Sequence, residues 1–274
     1  MSSIIISTDY SSVSQTIAQR TAEALGYEYL GPEYLTEVAK EHKVSAEKLA
    51  KALDPNSSSW AISSKNRSLY LAYIQAAVLG KFLEDNLVCQ GLAAHLYVHG
   101  ISHVLTVRIL ADTKLSVNQI AAEKNVTPKK ARQILDCRER RRRRWSEKNF
   151  GVNEFDPSLY DMVISLSQIE ADKAVEVIKD MVGYRKFQPM TYSLKCVKDK
   201  ALACTVRAAL GPRFPRMEVQ ARDGTVVIKP NTLRGGKGQQ AEALKERTYQ
   251  IPGVEYVEVH PSKNFVRQSN NSQS

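Results

Sequence analysis

The chain has 274 residues, of which 43% are hydrophobic and 25% are charged, and its formal net charge is +10. These values are typical of globular proteins, and the length suits one large domain or two ordinary ones. No apolar run approaches the roughly 20 residues that a membrane-spanning helix needs, and the N-terminus lacks the basic start and apolar core of a signal peptide, so we expect a cytoplasmic protein.

The first segment alternates strand and helix patterns, which is typical of a parallel sheet covered by helices on both faces. Apolar, β-branched runs predict strands, and apolar residues at helical spacing predict helices. The predicted strands are Ile4–Ser7, Leu87–Gln90, Val104–Leu110 and Met162–Leu166. A helix is predicted directly after the first strand, and further helical stretches cover Leu35–Leu53, Leu69–Leu83 and about Glu170–Met181, with a polar loop at Asp54–Ser64.

The pattern changes after residue 183, where residues 184–191 are predicted to form a linker. Residues 192–262 then predict a small α+β unit with a helix, a hairpin and a final helix and strand. The hairpin turn is indicated by Asp223-Gly224, and residues 235–238 predict a glycine-rich loop. Residues 263–274, which are rich in Ser, Asn and Gln, are predicted to be a disordered tail.

The positive charge is concentrated in this second part of the chain. Residues 1–183 carry 23 Lys and Arg against 22 Asp and Glu, whereas residues 184–274 carry 16 against 7, a net of +9. Such asymmetry predicts two bodies with different partners. The four cysteines show no CxxC spacing and no paired histidines, so we expect reduced thiols and no structural metal.

The stretch from Ile4 to Gly26 has the layout of a phosphate-binding loop. A strand, a loop of small polar residues and a helix N-terminus follow one another, and these are the parts that hold a nucleotide's phosphates. The loop has no glycine and no lysine between Asp9 and Thr16, however. Taken alone, the pattern is better explained by serines that cap the helix.

Four stretches, in the right order, resemble the cytidylate kinase-like family of P-loop nucleoside monophosphate kinases. They are ISTDYSSVSQTIA at the phosphate loop, ALGYEYLGPEYL at the following strand and turn, HVLTVRILAD before the lid, and ERRRRRWSEKNFGVNEFDPSLYDMVIS from the lid to the last strand. The resemblance covers residues 1–183 and implies a parallel-sheet P-loop kinase-like domain covered by helices, with ATP and magnesium as possible cofactors. It implies nucleotide-binding roles for Ser11, Ser12, Ser14, Gln15 and Thr16, with a magnesium ligand at Thr16.

The departures from the family pattern fall on positions that carry function. Val13 and the loop serines stand where the family has glycines, which let the backbone turn its N–H groups towards phosphate. Gln15 stands where the family has a basic residue, so the charge that would meet the β- and γ-phosphates is absent. Leu92 replaces an arginine that would hold the monophosphate. The sequence therefore predicts a degenerate phosphate loop with weak or no kinase activity.

The lid keeps its charge. Arg138 and Arg140–Arg144 place six arginines within seven positions, and the resemblance assigns the phosphate-gripping, catalytic roles to Arg140 and Arg142. The other arginines need another explanation, because residues that surround a helix cannot all point into one site. The retained lid also leaves open an active nucleoside monophosphate kinase that uses ATP and magnesium.

The residues Ser116–Leu135 also fit a helix-turn-helix pattern. Asn125 would lie at the turn, Thr127 would cap the second helix and Pro128 would take its first position. With the lid arginines following, a helix-turn-helix DNA-binding regulator is the alternative from a different class.

The second part of the chain resembles the BON domain, a small α/β module. The resemblance lies in DKALACTVRAAL, MEVQARDGTVVI and IPGVEYVEVH, within residues 192–262. It implies an anionic lipid or small-ligand partner, which the charge of +9 suits; a protein docking role is the alternative. For the whole chain the sequence predicts a nucleotide-binding or regulatory protein whose ligand is a nucleotide or another phosphate compound.

Overall fold

The structure, a computed structural model, describes residues 2–8, 12–58, 60–214, 217–230 and 237–260, without the side chains of residues 12–14, 237 and 238. The strands are β1 (Ser3–Thr8), β2 (Glu28–Leu30), β3 (Leu87–Gln90), β4 (Val104–Leu110), β5 (Met162–Ser165), β6 (Met217–Arg222), β7 (Thr225–Pro230) and β8 (Tyr256–Val259). The helices are α1 (Ser12–Leu25), α2 (Leu35–Glu41), α3 (Ala46–Leu53), α4 (Ser64–Lys81), α5 (Thr113–Lys124), α6 (Pro128–Phe150), α7 (Ala171–Val182), α8 (Thr191–Leu210) and α9 (Lys237–Tyr249).

The central sheet has the order β2-β3-β1-β4-β5, and its strands are parallel. Strand β1 lies in the middle, where Ile5 pairs with Cys89 on one side and with Thr106 on the other. Its three isoleucines are completely buried, because a parallel sheet with helices on both faces leaves neither side of a strand to water.

Two apolar layers cover the sheet. Ile5 packs in one layer with residues of α2, α3 and α4, whereas Ile4 and Ile6 pack in the other with α1 and α7. The side chains of one strand alternate between the faces, so a single run of isoleucines supplies both layers. The predicted α/β fold class, with a helix-covered parallel sheet, is confirmed.

The C-terminal part forms a second, three-stranded sheet of order β6-β7-β8. Strands β6 and β7 are an antiparallel hairpin, and its turn residues Asp223 and Gly224 have φ angles of 46° and 78°, as a type I′ turn requires. Strand β8 adds in parallel to β7. A small α+β unit was predicted here and is confirmed, whereas its likeness to a BON domain and the domain boundaries stay predictions.

Helix α8 contributes to both hydrophobic cores. Val197 and Ala201 belong to the core of the large sheet, where α8 packs on α4. Val206 and Leu210 belong to the core of the small sheet. Phe187, within the predicted linker 184–191, is also buried, against the α1 and α7 layer. Apolar burial therefore ties the C-terminal part to the first segment.

The single helical stretch predicted over Leu35–Leu53 was wrong, because the chain forms the two helices α2 and α3. Lys43 takes a left-handed φ of 52°, which ends the first helix. The side chain of Ser45 then accepts a hydrogen bond from the Lys48 amide and caps the second. Among the described residues, no helix is both long and apolar enough to cross a membrane.

Candidate functional site

A cavity of about 540 Å³, called here the main cavity, opens at the carboxyl ends of β1 and β3. In open α/β sheets this edge is where ligands bind. Thr8 and Gln90 end the two strands at its base, α2 and α3 supply apolar walls through Leu35 and Leu53, and α6 closes it with Arg142. The cavity has the size and the position of a small-molecule site.

The turn that follows β3 forms part of the wall with an unusual backbone. Gly91, Leu92 and Ala93 have φ angles of 71°, 53° and 57°. Left-handed angles cost free energy in residues other than glycine, and they persist only where the surroundings impose them. The Tyr97 hydroxyl donates to the Leu92 carbonyl at 2.7 Å and helps to hold the turn. The turn places Leu92, the residue that the resemblance aligns with an arginine, in the lining of the cavity.

An ion pair between Arg142 and Glu154 forms part of the lining of the main cavity. Nε of Arg142 donates to Oε2 of Glu154 at 2.7 Å, and Nη1 donates to the carbonyl of Thr8 at 2.8 Å. The Glu154 side chain is 1% exposed and that of Arg142 is 16% exposed. The lid helix is thus bonded to the end of β1, the strand that leads into the predicted phosphate loop.

His95 lies beside this pair. Its Nε2 is 3.5 Å from Oε2 of Glu154, and neither ring nitrogen has a hydrogen-bond partner among the described residues. Burial lowers the pKa of His95 more than the nearby carboxylate raises it, so the ring is neutral at neutral pH. Burial acts to raise the pKa of Glu154, but His95 and Arg142 together lower it, so the carboxyl is ionised.

Among the described side chains, the lining of the main cavity therefore carries no net positive charge. The charges of Arg142 and Glu154 cancel, and Asp54 adds one negative charge at the wall. A site that holds nucleotide phosphates normally presents an excess of cations or of free backbone N–H groups.

A second buried arginine, Arg108 on β4, stands next to the site. It is 3% exposed, its Nη1 donates to Ser7 Oγ at 3.3 Å and to the Tyr160 hydroxyl at 3.4 Å, and its guanidinium lies 4.7 Å from the centre of the Phe155 ring. Arg108, His95 and Glu154 were missed by the sequence reasoning. The one visible signal was an arginine in a strand whose other residues, apart from Thr106, are apolar.

The predicted nucleotide-binding residues lie at and beyond the edge of the described chain. Ser11 lies outside the described residues, and Ser12 and Ser14 have described backbones, in the first turn of α1, but no described side chains. Gln15 lines the main cavity. Thr16, the predicted magnesium ligand, is exposed on α1.

Gln15 takes part in a hydrogen-bonded chain that leads to β3. Burial raises the pKa of Tyr29 to about 12, and a hydrogen bond with Gln15 acts against that rise. The Tyr29 hydroxyl in turn donates to Oε1 of Gln90 at 2.7 Å. The residue in the place of the family's basic group is thus held by neutral neighbours.

The two predicted lid arginines lie in different surroundings. Arg142 reaches the main cavity, whereas Arg140 is exposed on another side of α6. Arg138 lines a separate cavity of about 120 Å³ between α5 and α6. The structure brings Gln15 and Arg142 to one cavity and leaves Arg140 outside it.

The predicted helix-turn-helix is present as a local structure. Asn125 ends α5 with a left-handed φ of 49°, and the Thr127 side chain accepts from the Lys130 amide at the start of α6. Ala131 is buried. DNA binding by this unit stays a prediction.

The strand order, the parallel pairing and the position of the cavity define a P-loop kinase-like α/β protein. Residues 3–168, more than half of the chain, match the model of the cytidylate kinase-like family. The chain belongs to the cytidylate kinase-like family. No curated protein matches it.

Solved structures resemble the chain only distantly. An uncharacterised protein from Eubacterium ventriosum is 17% identical with a TM-score of 0.48, covering 68% of this chain and 100% of that one. Shikimate kinase from Acinetobacter baumannii, in complex with shikimate, is 13% identical with a TM-score of 0.38, covering 69% and 96%. Dephospho-CoA kinase from Campylobacter jejuni is 14% identical with a TM-score of 0.35, covering 66% and 96%. Similarity at this level says nothing about the substrate of this chain.

Proposed function

We propose that this chain is a cytidylate kinase-like protein that binds a nucleotide in the main cavity and transfers phosphate weakly or not at all. The observation that carries the proposal is the pairing of Arg142 with groups inside the protein. The lid arginine that reaches the cavity is bonded to Glu154 and to the Thr8 carbonyl, so its charge is already matched inside the protein. Phosphoryl transfer depends on cations placed around the moving group.

ATP with magnesium does not fit the donors of the described residues. Gln15 supplies no charge, Arg142 is paired, and the one buried carboxylate at the cavity, Glu154, serves that pair. Thr16 offers a hydroxyl for magnesium, but among the described residues no group of three His, Cys, Asp or Glu side chains could hold a metal ion. We therefore assign no step of a reaction to the cofactor.

The cavity suits the uncharged part of a nucleotide better than its phosphates. Leu35, Leu53 and Trp145 offer apolar surface, and Gln90 and Asp54 offer hydrogen-bonding groups at the same wall. Small-molecule sites combine a mainly apolar lining with a few polar groups in this way. A base and its ribose would find both kinds of contact here.

The first test is a kinase assay with a binding assay beside it. Purified protein with ATP, magnesium and CMP should form no diphosphate above the blank, and turnover near the usual range of about 1–100 per second would contradict the proposal. CMP or cytidine should raise the melting temperature, because a ligand that binds only the folded state stabilises it by about 2.7 kcal/mol at a hundred times its Kd.

A matched pair of variants locates the binding. Ala50 lines the main cavity and is exposed on α3, so Ala50→Phe should fill the cavity and remove the thermal shift. Lys48→Phe adds the same ring to the same helix outside the cavity lining and should leave the shift intact. An unchanged shift in Ala50→Phe would place the ligand elsewhere.

Two other functions stay open as proposals. The exposed Lys129 and Lys130 at the start of α6 support a DNA-binding alternative through the helix-turn-helix. The net charge of +9 over residues 184–274 supports an anionic lipid or a protein as the partner of the C-terminal part. A cytoplasmic location likewise stays a prediction.

A further inference from the structure

A second cavity, of about 250 Å³, shares Trp145 and Pro55 with the lining of the main cavity. Four cations line it: Arg67 from α4, and Arg141, Arg144 and Lys148 from α6. No carboxylate lines it in the part of the chain that the structure describes. We call this cavity the basic groove.

The cations of the basic groove form a row. Arg141, Arg144 and Lys148 are spaced at i, i+3 and i+7, which places them on one face of α6, and seven residues of helix span about 10 Å. Lys148 also lines an adjoining cavity of about 280 Å³, together with Lys65 and Arg207 and one carboxylate, that of Glu218. A row of this length exceeds what one phosphate group needs and suits an elongated polyanion.

Two of the four cations of the groove, Arg67 and Arg141, are positioned by neutral partners. Nη2 of Arg67 donates to the Ser57 carbonyl at 2.8 Å, and Nη1 of Arg141 donates to Oδ1 of Asn56 at 3.0 Å. Each bond uses one of the five donors of a guanidinium. The carboxylate that acts on Arg67 is that of Asp54, which lines the main cavity instead. Like charges held close together repel, so an anion in the groove would relieve an existing cost.

A fully exposed aromatic ring belongs to the loop that supplies part of the lining of the groove. Trp60 is 99% exposed and lies between Ser57 and Ile62, which both line the groove. A large ring in water next to a row of cations is the combination that binds single-stranded nucleic acid, because bases stack on the ring while the backbone follows the charges.

We propose that the basic groove binds single-stranded nucleic acid, with backbone phosphates on Arg67, Arg141, Arg144 and Lys148 and a base stacked on Trp60. The bases of a duplex are already stacked on one another and would not reach Trp60. The surface is also distinct from the helix-turn-helix, whose exposed Lys129 and Lys130 lie at the opposite end of α6.

The two tryptophans of the chain provide the readout, since Trp60 is exposed and Trp145 is 6% exposed. Titration of the full chain with a single-stranded oligonucleotide of about 12 nucleotides, within the range of known site sizes, should quench the emission of Trp60. Trp60→Ala should weaken binding, followed by anisotropy of a labelled oligonucleotide, at least about fivefold. Trp60→Tyr should keep most of the affinity, because tyrosine also stacks.

Salt dependence tests the cations. The double variant Arg141→Gln with Arg144→Gln should lower the slope of log K against log salt by about 1.4, since each phosphate contact to a single strand contributes about 0.7. The double variant Lys129→Gln with Lys130→Gln loses the same charge at the far end of α6 and should keep the slope. Equal melting temperatures would show that all variants are folded.

Four results would overturn the proposal. Duplex bound as tightly as single strand would exclude stacking on Trp60, and a loss confined to the Lys129 and Lys130 variant would assign binding to the helix-turn-helix. Binding of tripolyphosphate without binding of the oligonucleotide would make the groove a small-anion site. If no oligonucleotide binds at low salt, the groove is not a nucleic-acid site. None of these results alters the thermal shift with CMP, so the two proposals fail independently.

Discussion

The main cavity and the basic groove share Trp145 and Pro55 in their linings, and both take arginines from α6. In the main cavity Arg142 is buried against Glu154. In the groove Arg141 and Arg144 are exposed, and no acid lines the walls in the described part of the chain. Adjacent arginines of one helix thus differ, because the charge of Arg142 is paired with a carboxylate and, among the described residues, the charge of Arg141 is not.

The number of arginines in a lid therefore says little about how well that lid binds anions. A buried pair satisfies its own charge, so it can hold the lid to the sheet but has little field left for a ligand. Exposed, unmatched cations contribute little to the stability of the fold, and their field is available for binding. The main cavity has the first kind of arginine, whereas the basic groove has the second.

Replacing one arginine from each region should give the largest difference in the free energy of unfolding. Arg142→Gln leaves the Glu154 carboxylate buried without its cation, and the free energy of unfolding should fall by about 3–5 kcal/mol. Arg144→Gln, two residues along the helix, should change it by no more than about 0.5 kcal/mol. Urea unfolding followed by circular dichroism measures both.

A double variant is the control for this comparison. Arg142→Gln with Glu154→Gln removes the unmatched carboxylate as well, so it should recover part of the stability that the single variant loses. If Arg142→Gln and Arg144→Gln destabilise the chain equally, then the pair in the main cavity is not the structural element proposed here.

The pH dependence of stability should come from partly or fully buried histidines, of which His95 lines the main cavity, and not from the groove. Burial lowers the pKa of His95, and also those of His103 and His42. Below a pH of about 6.5 the unfolded chain therefore binds protons that the folded chain does not, so stability falls as the pH falls. Each such histidine contributes about 1.4 kcal/mol per pH unit until its folded pKa is reached. Glu154, whose folded pKa is lowered, adds a further loss at more acidic pH, below the usual carboxyl range.

Unfolding midpoints between pH 7 and pH 5 measure this slope. His95→Gln should make the slope shallower by the share of one histidine, whereas Arg144→Gln should give a curve parallel to that of the unchanged chain. A parallel curve for His95→Gln would mean that the histidine takes up its proton as readily in the folded chain as in the unfolded one.

The sequence predicted the strands well and the site only in part. Leu87–Gln90 and Val104–Leu110 have the predicted bounds, because buried strands of a parallel sheet are continuous apolar runs. The resemblance singled out Arg142, which lines the main cavity, and its catalytic role stays a prediction. No spacing rule pairs Arg142 with Glu154, since that contact forms only when the loop after α6 folds back over the helix.

The basic groove was hidden for a related reason. Arg141, Arg144 and Lys148 could be assigned to one helix face from their spacing alone. Arg67 and the loop that carries Trp60 are distant in sequence from the arginines of α6. Only the packing of α4 against the end of α6 brings Arg67 to those arginines. A run of arginines could therefore be recognised, while the surface that it forms could not.

The smallest effect, and the sharpest test of the difference, is expected from giving the groove an acid of its own. Ser64 is exposed, lines the groove and is the first residue of α4, whose first turn has no acidic residue. Ser64→Glu would place a carboxylate near the positive end of the helix dipole and three residues before Arg67. The free energy of unfolding should rise by about 0.3–1 kcal/mol at low salt.

Ser64→Gln is the matched control, because it adds a side chain of the same size without the charge, and it should not stabilise the fold in this way. The gain from Ser64→Glu should fade in 1 M salt, where the screening length is about 3 Å. The same variant should also weaken oligonucleotide binding, since it begins to turn the groove into a second matched site like that of Arg142 and Glu154. Stabilisation that survives high salt, or that appears equally in Ser64→Gln, would show that the cations of the groove exert no net positive field on the new carboxylate. The groove would then not differ from the main cavity in the way argued above.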